Sequence, residues 1–128
     1  MPDRQHSILE SIMDTDLSTT VSKAVQVPRW ARYASLYVPA RDNAAITLNA
    51  REDATVTADS DLFPTTTTSW YGVVDEAEAS QVLAAGTTAT WIDITNYIRA
   101  LPADCWVRPV CGAAQDPFVT FRFNFRGA

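Results

Sequence analysis

Phe118-Val119-Thr120-Phe121-Arg122-Phe123-Asn124-Phe125-Arg126 is the stretch whose reading decides the fold. Val119, Phe121, Phe123 and Phe125 alternate with Thr120, Arg122, Asn124 and Arg126. A period of two places the apolar set on one face of a β-strand and the polar set on the other, so one face belongs to a core. Working back along the chain, the same period recurs in shorter runs. Ala44, Ile46, Leu48 and Ala50 alternate with Thr47, Asn49 and Arg51, and Val21, Val25 and Val27 share a face ahead of Pro28. Ile92 and Ile94 oppose Trp91 and Asp93. Further strands are expected over 54–58, 70–74 and 104–113, with one helical turn over Asn96 to Leu101 stopped by Pro102. In Trp30 to Val38, Trp30, Ala34, Leu36 and Val38 alternate with Ala31, Tyr33 and Tyr37, which predicts a central strand covered on both sides.

Seven or eight short strands without a long helix predict an all-β protein, an antiparallel two-sheet β-sandwich of jelly-roll type. At 128 residues the chain suffices for one domain, which removes roughly two-thirds of its unfolded surface from water. The sandwich is expected over 19–128, preceded by a short N-terminal arm or helix over 1–18. In that arm Ser7-Ile8-Leu9-Glu10 matches the S-x-x-E capping box, and Ile8, Leu9, Ile12 and Met13 fall on one helical face. A helix of one or two turns has no stability of its own, so it must dock, on its own domain or on a neighbouring subunit. The longest loop is expected over 59–69, with Thr65, Thr66, Thr67 and Thr68 in succession, and 75–85 reads as a loop or short turn. Ile8, Leu9, Ile12 and Met13 with Thr65 to Thr68 are the candidate interface residues.

Composition speaks against catalysis. The only histidine, His6, lies in the arm, away from any Ser-His-Asp or Cys-His constellation in the sandwich. Four glycines leave little room for a phosphate-cradling loop, and no nucleophile elbow or dinucleotide fingerprint occurs. One histidine and two cysteines fall short of a zinc site, and Asp14-Thr15-Asp16 and Asp59-Ser60-Asp61 lack the remainder of an EF-hand loop. Paired carboxylates stay open, with Asp59, Asp61, Asp75, Glu76, Glu78 and Asp93 as candidates, although fifteen acids produce pairs by chance. The expectation is no enzyme, no cofactor and no metal. Cys105 and Cys111, six residues apart on an extended segment, are expected to be free thiols. A net charge of −5 disfavours nucleic acid, and no stretch is apolar enough for a signal peptide or membrane span. Nine arginines against one lysine, Lys23, suit protein interfaces, and GC-rich codon use explains them equally well. Trp70, Tyr71, Trp91 and Trp106 either form a platform for sugar rings or fill the space between sheets.

From Val25 onward the order of features resembles the small jelly-roll proteins of tailed-phage virions, the cement or decoration proteins of capsids. The resemblance rests on Val27-Pro28-Arg29-Trp30-Ala31-Arg32-Tyr33-Ala34-Ser35-Leu36-Tyr37-Val38-Pro39, on Trp91-Ile92-Asp93-Ile94-Thr95-Asn96-Tyr97-Ile98, and on Val107-Arg108 followed by Gln115. It implies a non-enzymatic homo-oligomer in the virion, assembled in the bacterial cytoplasm, whose partners are the major capsid protein or other virion proteins. Sugar-binding jelly rolls share much of this pattern, so a carbohydrate-binding module stays open, as does a tail or head-fibre component.

Overall fold

The computed structural model describes residues 5–14, 16–52, 70–75, 81–116 and 118–127. Among these residues, nine strands and one short helix follow in chain order: β1 His6–Ile12, β2 Val25–Gln26, β3 Tyr33–Val38, β4 Ala44–Arg51, β5 Tyr71–Gly72, β6 Gln81–Gly86, β7 Thr90–Asp93, α1 Thr95–Ile98, β8 Trp106–Cys111 and β9 Thr120–Arg126. They form two antiparallel sheets, one in the order β1-β9-β3-β7 and the other in the order β2-β8-β4-β5, with β6 also on β4. The protein is an all-β two-sheet sandwich. Between the sheets lie Phe121, Phe123 and Phe125 of β9, Ala34, Leu36 and Val38 of β3, and Ile46, Leu48 and Ala50 of β4. The alternation in β9 and β4 thus maps directly onto inside and outside, because each strand has one face on the core.

The N-terminal segment departs from the helical expectation. His6–Ile12 is a strand paired along its whole length with β9, from His6 opposite Arg126 to Ile12 opposite Thr120. A free edge of β9 offers a row of unpaired backbone groups, whereas an isolated two-turn helix offers little. The sandwich therefore takes in this segment as an edge strand. Ser11, fully buried, donates its hydroxyl hydrogen bond to the Lys23 carbonyl, and the Lys23 N–H returns to the Ile12 carbonyl at 3.0 Å, which ties the end of β1 to the approach to β2.

Three other expectations change. β3 is central in its hydrogen bonding, between β9 and β7, yet its outer face is open: Tyr33 stands in solvent. Part of the span read as a loop, 75–85, carries strand β6, whose pairing to β4 shifts register twice and whose burial does not alternate. A strand that bulges, packs through the consecutive Val82 and Leu83 and leaves Ala84 and Ala85 exposed has no period to read. The strand expected over Val21 to Val27 is reduced to a bridge at Val21 and the two residues of β2. The strand expected over 54–58 and the loop over 59–69, with Thr65, Thr66, Thr67 and Thr68, lie outside the described residues. Cys105 and Cys111 are free and buried.

Candidate functional site

The outer face of the β1-β9-β3-β7 sheet concentrates the exposed apolar side chains. Registers align one row across all four strands: Glu10 opposite Arg122, Arg122 opposite Tyr37, Tyr37 opposite Trp91. Within it the Arg122 guanidinium lies 5.6 Å from the centre of the Tyr37 ring, and the Tyr37 and Trp91 rings stand 5.3 Å apart at 52°. Arginine over an aromatic face is favourable and holds the long side chain extended over the sheet. The next row holds Ile8, Asn124, Ser35 and Asp93, and the row after it His6, Arg126 and Tyr33. Ile8 is 54%, Ile12 44%, Tyr33 54% and Trp91 49% exposed. Single exposed apolar residues are ordinary, whereas several on one flat face mark a contact surface.

Between Tyr33 and Trp91 the face dips into a depression of about 300 Å³ whose polar lining is Ser35, Asp93, Asn124 and Arg126. Hydrogen bonds from Thr95, through its hydroxyl and then its backbone N–H (2.9 Å to Asp93 Oδ1), hold the Asp93 carboxyl below its usual range. The Thr95 hydroxyl oxygen also accepts from the Ala34 N–H at 3.1 Å, so α1 fixes one wall of the depression to β3. Across the sheet, His6 Nε2 and Asn124 Oδ1 are 2.6 Å apart. The site is ionised, amphipathic and shallow. It presents one positioned carboxylate, Asp93, beside two aromatic rings, Tyr33 and Trp91. Among the described residues no cluster of His, Cys, Asp and Glu is arranged to hold a metal ion.

Strand geometry divides the predicted interface residues. Ile8 and Ile12 point outward, Leu9 packs against the core, and Met13 is fully buried. The helical face that would have united the four does not exist, because strand neighbours alternate. Of the four aromatics weighed as a platform, only Trp91 lies on this face. Tyr71 is exposed on the other sheet, and Trp70 is buried with Ala24 against the half-buried Trp106. There Trp70 covers Arg108, whose guanidinium carbon sits 3.9 Å from the ring centre. Tyr33 and Tyr37 escaped sequence reasoning because β3 reads as covered on both faces, and Arg122 was placed on the polar face of β9 without its aromatic neighbours. The polar face of β9 was the available signal, since β3 has to pair beside it.

No family model, curated protein or solved structure matches this chain.

Proposed function

We propose that this protein is a structural component of a tailed-phage virion, a capsid cement or decoration protein that docks on adjoining capsid subunits through the outer face of the β1-β9-β3-β7 sheet. The observation that carries the reading is the composition of that face, where Ile8, Ile12, Tyr33, Tyr37 and Trp91 surround Arg122 and Arg126. Aromatic and arginine side chains are the residue types enriched in protein interfaces, and exposed isoleucines have no place on a sugar-stacking platform. The strand order supports the same reading. β1-β9-β3-β7 facing β2-β8-β4 with β5 and β6 is compatible with a jelly roll, an architecture shared by viral capsid and lectin domains. Four strands of four to seven residues, about 4.8 Å apart, give a face of roughly 400 Å². That is about half of one partner's share of a standard interface, so loops at the strand ends must join the contact.

A second reading, a carbohydrate-binding module, has its own observation in the depression between Tyr33 and Trp91. An aromatic wall beside Asp93, Asn124 and Arg126 has the donors and acceptors that sugar hydroxyls need. Two measurements separate the readings. Docking on capsids predicts that the protein co-sediments with particles of the phage that encodes it, and that charge at Ile8 and Ile12 (I8D with I12D) releases it. Failure to associate with any particle overturns it. A glycan array that shows binding lost in W91A, with I8D unaffected, replaces it by the second reading.

A further inference from the structure

The two ends of the sandwich carry complementary surfaces. β9 runs from Thr120 to Arg126, a span of roughly 20 Å, and antiparallel pairing sorts the connecting segments to one end or the other. At the Arg126 end, the segment before β3 and the segment after α1 enclose a groove of about 410 Å³. Val27, Ala31, Ile98 and Leu101 give it an apolar lining, and Arg29, Arg32 and Arg99 stand around it. Arg29 is engaged by Asp104, whereas no described residue forms an ion pair with Arg32 or Arg99, both exposed. The opposite end is acidic. The Met13 N–H bonds to the Val119 carbonyl, the Gln115 N–H to the Thr19 carbonyl, and the Asp116 N–H to the Asp42 carboxylate, which gathers Asp14, Asp16, Asp42 and Asp116 around the exposed Phe118 and Leu17. Among the described residues Lys23 also lies at this end, with its N–H on the Ile12 carbonyl, and Arg41 is buried and turned inward onto the carbonyls of Ala44 and Thr88.

We infer that the arginine-rimmed groove receives the acidic, Phe118-bearing end of a second copy of this chain, so that the protein associates head to tail. Charge and shape both choose this occupant. An apolar trough with guanidinium groups on its rim matches an exposed aromatic ring set among carboxylates, and the chain supplies that knob itself. A patch meeting a different patch makes a heterologous contact, which closes into a ring or extends as a filament. The sheet face proposed for docking runs between the two ends and meets the groove at Tyr33, which lines both. The inference does not depend on the capsid reading, because its test contains no capsid.

Analytical ultracentrifugation of the full chain is the test, at about 100 µM protein and at both about 50 and about 500 mM salt. Concentration-dependent association that weakens at high salt is expected, and a monomer under both conditions overturns the inference. R32E with R99E, and separately D16K with D116K, should each raise the dissociation constant about tenfold or more. Mixing the two variants should restore a 1:1 complex, since each retains the intact end that the other lost. Undiminished association of both variants, or no complex on mixing, also overturns it. F118A, at an exposed position, gives an independent reading of the knob: it should weaken association with an unchanged melting temperature.

Discussion

Gln115 and Asp42 hold each other through the backbone. The fully buried amide of Gln115 accepts the Asp42 N–H at 2.8 Å and donates to the Asp42 carbonyl at 3.0 Å. A further bond from the same Nε2 to the Ala113 carbonyl, at 3.2 Å, uses the remaining donor. This clamp joins the β3–β4 turn to the segment before β9, and so shapes the acidic end.

Removing it should be costly for an exposed turn. Gln115→Ala strands three backbone groups, each worth about 1 to 2 kcal/mol when buried without a partner, so a loss of about 3 kcal/mol is expected in urea unfolding. Gln115→Glu should lose a similar amount at neutral pH, because a carboxylate cannot donate to the Asp42 and Ala113 carbonyls. A change under about 0.5 kcal/mol in both variants would mean that water replaces the clamp.

Arg108 is the reverse case. It is 1% exposed, its Nε and Nη1 make no hydrogen bond, and desolvation followed by the nearby Arg51 charge pulls its pKa down to about 10, so it stays charged at neutral pH. Arg108→Met should therefore be neutral or stabilising by about 1 to 2 kcal/mol, since an apolar side chain of similar length fills the space under Trp70 without a desolvation cost. A loss above about 2 kcal/mol would instead reveal a carboxylate engaged with the guanidinium.

The outer and inner faces of the β1-β9-β3-β7 sheet should separate cleanly. Ile8→Ser and Trp91→Ala should shift unfolding by about 0.5 kcal/mol or less, as expected for surface positions, while reducing capsid co-sedimentation. Phe123→Ala, one row from Trp91 on the inner face, should cost about 3 to 5 kcal/mol. Equal thermal shifts for Trp91→Ala and Phe123→Ala would show that the outer face is packed in the folded monomer.

Burial raises the Cys111 thiol to about 11, partly opposed by Arg41. The folded pKa thus lies above that of the unfolded chain, about 8.5, so the native state retains a proton that the unfolded state releases. The contribution is complete below about pH 8.5 and is lost as pH rises toward about 11, at most about 1.4 kcal/mol per unit. Cys111→Ala should flatten this alkaline decline in a pH series of urea midpoints. In the native protein at pH 8, neither cysteine should react with a thiol reagent at the rate of a free thiol, and Cys105, also raised chiefly by burial, should follow the same pattern.

Sequence by itself determined the all-β class, the inward set of β9 and β4, and the helical turn near Asn96, which appears as α1 at Thr95–Ile98. In each of these, local period and burial agree, because one face meets the core over consecutive residues. Only tertiary structure decided that Ser7 to Ile12 is strand and not helix, since the deciding partner, β9, lies more than a hundred residues away. The same holds for the candidate site. Tyr37, Trp91 and Arg122 become neighbours only through the pairing of β3 with β7 and β9, and inter-strand register is set by whole-sheet hydrogen bonding that no local period encodes.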